Sequence, residues 1–134
     1  MARDPGYEAR IADVVVRVRP QYLPEQSEPE ERRWVWAYHI EVENRGQATV
    51  QLLARHWRIT DATGHVEQVK GLGVVGEQPV LNPGESFRYT SGCPLTTPSG
   101  VMVGTYRMVG EGGQFDVHIP AFSLDLPDTL RVVN

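Results

Sequence analysis

The sequence predicts an all-β protein, an antiparallel sandwich of two sheets with seven to eight strands. Three observations carry that expectation. Valine occurs 18 times and leucine 9 times, and β-branched side chains lose freedom in helices but pack well on a pleated surface. The 13 glycines and 10 prolines exceed the ~12% of an average chain, as many short strands and turns require. Apolar residues recur at a period of two in run after run, with no stretch that reads as a helix of three turns.

Residues 8–20 read as one strand, with Val14, Val16 and Val18 alternating against Val15, Arg17 and Arg19. Tyr22 to Glu31 carries Glu25, Glu28, Glu30 and Glu31 and reads as a solvated connection. The clearest strand is 32–44. Trp34, Trp36, Tyr38, Ile40 and Val42 share one face there, a pattern no helix places on one stripe. Asn44-Arg-Gly46 reads as a turn, and Thr49 to Thr60 as a strand returning beside 32–44. In that segment the phase of Val50 and Leu52 changes to that of Leu53, Trp57 and Ile59, so a bulge is expected near Leu53–Arg55.

Asp61-Ala-Thr-Gly64 reads as a turn and His65 to Lys70 as a short strand. Gly71 to Gly84 is rich in glycine and proline. Glu85 to Thr90 is strand-like, and Ser91 to Gly100, with two prolines and two glycines, reads as loop. Val101 to Gly110 alternates Met102, Tyr106 and Met108 against Val101, Val103 and Arg107. Phe115, Val117 and Ile119 share a phase that changes to Phe122, Leu124 and Leu126 after Pro120, where a kink or bulge belongs. Gly104-x-Tyr106 is similar to the tyrosine corner of β-sandwiches, with a plain core tyrosine as the other reading. Residues 1–127 are expected to form one domain and 128–134 a tail.

A chain of 134 residues with a net charge near −4 lacks the basic stripe of a general nucleic-acid binder. It also lacks the attraction to acidic membranes of a peripheral protein. No apolar run approaches a membrane span of ~18–20 residues. The first ten residues hold acids where a secretion signal needs an apolar core, so the cytoplasm is the expected location. The single cysteine, Cys93, excludes an intrachain disulfide and a cysteine-only zinc site.

The chemistry-bearing residues are scattered. Gly71-x-Gly73-x-x-Gly76 matches the dinucleotide-binding expression, but it leads into Glu77-Gln-Pro79 and another strand. The helix that would face a pyrophosphate is therefore missing. A weaker reading survives, in which consecutive glycine amides cradle phosphate oxygens. Arg55, Arg58, Lys70 and Arg88 are the candidate charges around Gly71, Gly73 and Gly76. Turn formation and close crossing of backbones is the competing role for these glycines.

His39, His56, His65 and His118 form no chelating spacing, and Asp116 with His118 supplies only one edge of a site, so no metal and no cofactor is expected. There is no Gly-x-Ser-x-Gly elbow. Ser91 and Cys93 have no His–acid partner by spacing, and Glu41 with Glu43 reads as a solvated pair. The chain reads as non-enzymatic.

Several blocks together resemble the ApaG domain family. They are Trp34-Val-Trp-Ala-Tyr-His-Ile40 with Glu43-Asn-Arg-Gly46, Arg55-His-Trp-Arg-Ile-Thr-Asp-Ala-Thr-Gly64, the run Gly71 to Gly84, Phe87-Arg-Tyr-Thr-Ser-Gly92 and Met102-Val-Gly-Thr-Tyr-Arg-Met108. The resemblance spans about residues 7–127. It implies a sandwich similar to fibronectin type III and immunoglobulin domains, and a family-level association with cobalt resistance and magnesium efflux. In eukaryotes similar domains are appended to adaptor proteins.

The expected function is therefore protein–protein interaction with an unidentified cytoplasmic partner, without nucleic acid and without membrane insertion. The working surface is expected at 71–84 together with 91–100. Sheet edges offer a route to a homodimer. The alternative is a binder of pyrophosphate, nucleotide or dinucleoside polyphosphate, a phosphate-containing small molecule held at the glycine-rich loop.

Overall fold

In a computed structural model that describes residues 6–127, nine strands form two antiparallel sheets packed as a sandwich. The strands are β1 (Tyr7–Ile11), β2 (Val14–Tyr22), β3 (Trp34–Asn44), β4 (Val50–Asp61), β5 (Val66–Leu72), β6 (Val80–Leu81), β7 (Ser86–Leu95), β8 (Gly100–Gly110) and β9 (Gly113–Leu124). The first sheet runs β1-β2-β3-β7. The second runs β5-β4-β8-β9, with β6 pairing to the start of β4. The expected tail, 128–134, lies outside the described residues.

The antiparallel two-sheet sandwich is the one expected, with nine strands among the described residues in place of seven to eight, and with corrections. Residues 8–20 are a hairpin of two strands. Ala12 and Asp13 both adopt left-handed φ, 50° and 66°, so Ile11 pairs directly with Val14. That backbone matches strand twist in a two-residue turn, but neither residue is the glycine or asparagine that signals it. The strand after Asn44 does not return beside β3. Residues 45–49 carry the chain across the ~10 Å between sheets, and β4 pairs with β5, β6 and β8. Ser91 to Leu95 is strand, the second half of β7. β7 is an edge strand, where the missing N–H of Pro94 leaves no central ladder bond unmade.

Both expected irregularities are present. The β4–β8 register shifts between Leu52 and Ala54. The β8–β9 register shifts between Met102 and Gly104, opposite the stretch containing Pro120.

The inner faces interlock through aromatic side chains. Tyr38 of β3 meets Trp57 of β4 with ring centroids 5.4 Å apart, and Trp57 stands at 88° to Phe122 of β9. Such edge-on pairs contribute ~0.5–1.5 kcal/mol each beyond their burial. Gly104, opposite Trp57, makes room for that ring, since a Cβ there would lie 2.5 Å from Trp57 Cε3. Tyr106 is fully buried, and its hydroxyl meets that of Tyr89 rather than a backbone group. It is a core tyrosine, not a tyrosine corner.

Candidate functional site: the outer face of the second sheet

The glycine-rich segment is a tight turn. Gly73 donates its amide to Leu53 O at 2.8 Å. Val74 and Glu77 exchange both backbone hydrogen bonds, at 2.8 and 2.9 Å, closing a two-residue turn over Val75 and Gly76. Two amides of the segment are therefore spent inside the turn, and that of Gly73 on β4. Gly73 has φ +66°, and a Cβ on it would overlap Glu77 O, so only glycine fits. Val75 has φ +42°, an outlier for a β-branched residue, and it projects its side chain into solvent at the tip.

The four candidate cations lie in three places. Arg55 shares the inner face with Tyr106 and donates to Leu72 O at 3.2 Å and Gly73 O at 2.9 Å. Gly71 leaves the space for it, because a Cβ there would lie 2.9 Å from Arg55 Nη1. Arg88 is on the outer face of the other sheet, 2.7 Å from Glu41. Arg58 and Lys70 stand on the outer face of the second sheet. The structure thus brings Arg55 to Gly71 and Gly73, puts Lys70 on the opposite face of β5, and takes Arg88 away from the loop altogether.

The outer surfaces of the two sheets differ in electrostatic character. On the first, Arg17 of β2 donates to Glu8, Glu41 and Glu43 at 2.9, 3.0 and 3.0 Å, and Arg45 reaches Glu43 at 3.2 Å. Glu41 and Glu43 are thus bridged by arginines rather than being a simple solvated pair. Hydrogen bonding from Arg17 holds the Glu43 carboxyl below its usual range. His39 sits between Thr90 and Gln21, 2.8 Å from each, and burial lowers its pKa, with Arg19 adding to the effect.

On the second sheet cations outnumber acids. Cross-strand rows align Lys70 with His56, Thr105 and His118, and Leu72 with Ala54, Arg107 and Asp116. Arg107 is paired with Asp116 at 2.8 Å. Arg58 and Lys70 form no ion pair among the described residues. Ala54 and Gly71, beside the bulge, leave a shallow depression of about 550 Å³ rimmed by Arg55, His56, Lys70, Arg107 and the Arg107 partner Asp116.

Beside these cations lie exposed apolar side chains. Val66 of β5 is 46% exposed, Val101 and Val103 of β8 are 41% and 44%, and Leu72 is 79%. Sequence reasoning missed His56, Arg107 and this apolar row as site residues. The signal was present in β8, where valines occupy the phase opposite Met102, Tyr106 and Met108. A strand that is apolar in both phases within an antiparallel sheet has a sticky outer surface.

The remaining candidates have structural surroundings. Cys93 is buried, and burial pushes its thiol up to about 11, so it is not thiolate at neutral pH. Among the described residues, no group of three or more His, Cys, Asp or Glu is arranged to hold a metal ion. No helix among them is long and apolar enough to cross a membrane.

Two facing antiparallel sheets, one with an arginine-bridged acidic outer surface and one with a cationic and apolar outer surface, make this chain a β-sandwich domain. The ApaG domain profile matches residues 24–110. Protein ApaG of Brucella canis is 59% identical over 129 residues, covering 96% of this chain and 99% of the relative. The crystal structure of a Bordetella pertussis protein described as ApaA superposes with a TM-score of 0.84 at 52% identity, covering 87% of this chain and 95% of that one. The chain belongs to the ApaG family.

Proposed function

We propose that this chain is a non-enzymatic protein-binding domain whose docking surface is the outer face of the β5-β4-β8-β9 sheet. The observation that carries the reading is the patch Val66, Val101 and Val103, each more than 40% exposed, grouped around Thr60 and Arg58, with the unpaired cations Arg58 and Lys70 on the same face. Exposed contiguous apolar side chains rimmed by polar groups mark interaction surfaces. The cationic rim is opposite in sign to the net charge of −4, so the partner is acidic around an apolar centre. The reading takes that partner to be cytoplasmic, and the family's association with cobalt resistance and magnesium efflux to act through it.

This moves the working surface away from 91–100, half of which is strand. The test is parallel capture from the native host by the parent chain, Val103→Glu and Arg88→Glu. A partner held by the parent and by Arg88→Glu but lost from Val103→Glu supports the reading. A partner lost only from Arg88→Glu, or held equally by all three, refutes it.

A second reading, small-anion binding, is favoured by the depression between Ala54 and Gly71, which is lined by Lys70 and His56 and by Arg107 paired with Asp116. Pyrophosphate, ATP and diadenosine tetraphosphate are the probes. Thermal stabilisation that disappears in Lys70→Glu supports it, and no stabilisation at millimolar ligand ends it.

A further inference from the structure

β5 is an open edge of the second sheet. The backbone bonds at its two ends, Asp61 N–H to His65 O at 2.9 Å and Gly73 N–H to Leu53 O at 2.8 Å, show that odd-numbered residues of the segment turn toward β4. By the alternation of antiparallel ladders, the N–H and C=O groups of Val66, Gln68, Lys70 and Leu72 then point away from the sheet. Leu72 O also accepts from Arg55 at 3.2 Å, and a carbonyl has two lone pairs. β5 packs against β4, and Val69 on its inner face packs against the core. Its outer-face side chains Val66 and Leu72 are 46% and 79% exposed.

We propose that two copies of this chain pair through β5, antiparallel about a two-fold axis at Val69, joining their second sheets into one continuous sheet. The strand is self-complementary in that register. Val66 falls opposite Leu72 of the second copy, so the exposed apolar side chains at the two ends cover each other. Gln68 falls opposite Lys70, which keeps the edge lysines from facing their own copies directly.

On the inner face, Glu67 falls opposite Gly71, the position over which the Arg55 guanidinium lies. Glu67 is on that face because it pairs with Ile59, which packs against the core. Each copy thus offers a carboxylate to the other's arginine. All four outward-facing residues meet outward-facing residues, so the hydrogen-bond pattern closes without a bulge. A two-fold contact repeats every one of these pairs. The pairing covers Val66 and Leu72 at the edge and leaves Arg58, Val101 and Val103 of the outer face open.

The test is sedimentation velocity across a concentration series. The parent chain should dimerise. Gln68→Pro removes an outward N–H without touching the β4 ladder, and should weaken the dimer about tenfold or more. Glu67→Arg should weaken it by placing two cations together. Val69→Cys should form a disulfide-linked dimer under mild oxidation, because directly opposed residues of a non-hydrogen-bonded pair lie ~4.5 Å apart at Cα. Buried Cys93 makes the parent chain a non-crosslinking control. Circular dichroism checks that each variant keeps its sheet. A parent chain that stays monomeric overturns the proposal. So does a dimer unaffected by both Gln68→Pro and Glu67→Arg, or a Val69→Cys chain that does not crosslink although the parent dimerises.

Discussion

The hydroxyl of Tyr89 in β7 meets the hydroxyl of Tyr106 in β8, joining the two sheets through the middle of the core. Tyr106 is fully buried and Tyr89 nearly so. Two polar groups that would each be costly alone satisfy one another. Tyr106→Phe leaves the Tyr89 hydroxyl buried without a partner, a cost of about 1–3 kcal/mol. The double variant Tyr89→Phe/Tyr106→Phe, with no orphan, should be more stable than the sum of the single losses implies. Urea denaturation of the three variants measures the coupling.

The same pair sets an alkaline limit. Burial raises the pKa of both phenols; Tyr89 raises that of Tyr106 further, while the hydrogen bond to Tyr106 offsets part of the rise at Tyr89. A folded-state pKa above the unfolded one makes the unfolded chain lose protons first. Stability is therefore fully present below the ordinary tyrosine value of ~10 and falls as pH rises beyond it. Unfolding free energy measured from pH 8 upward should drop above about pH 10, and the double Phe variant should drop less steeply.

The turn at 73–77 separates a steric requirement from a conformational one. Gly73→Ala drives a Cβ into Glu77 O and should cost more than the ~1–2 kcal/mol of left-handed backbone alone. Gly76→Ala has φ +82° but open space, so it should cost only that backbone contribution. Val75→Asn makes an Asn-Gly pair in the same turn and should stabilise by about 1 kcal/mol. Thermal or urea unfolding checks the order Val75→Asn, parent, Gly76→Ala, Gly73→Ala.

Much of this architecture was readable from periodicity alone. The inner face of β3, the bulge before Arg55 and the shift at Pro120 each leave a phase change in the apolar pattern. What escaped was set by backbone geometry without a compositional mark. Ala12-Asp13 makes a hairpin from residues that do not advertise it. β6 is two residues long and has no period. Pro94 reads as a breaker unless its strand is known to be an edge.

The candidate site was only half legible for a related reason. Arg55, Arg58, Lys70 and Arg88 are near Gly71–Gly76 or similar in sequence character, but strand alternation sends Arg55 inward and Lys70 outward. Sheet membership sends Arg88 to the far surface. The docking face needs the pairing of β8 with β4 and β5, which brings Val101 and Val103 beside Arg58 and Val66, and no local pattern states that pairing.

The most direct test of the docking reading is amide hydrogen exchange of the chain alone and bound to the partner recovered in parallel capture. Binding on the second sheet should slow exchange along β5 and at Val101–Thr105 of β8 while leaving Arg17–Arg19 of β2 unchanged. Protection confined to β2, β3 and β7 would contradict it.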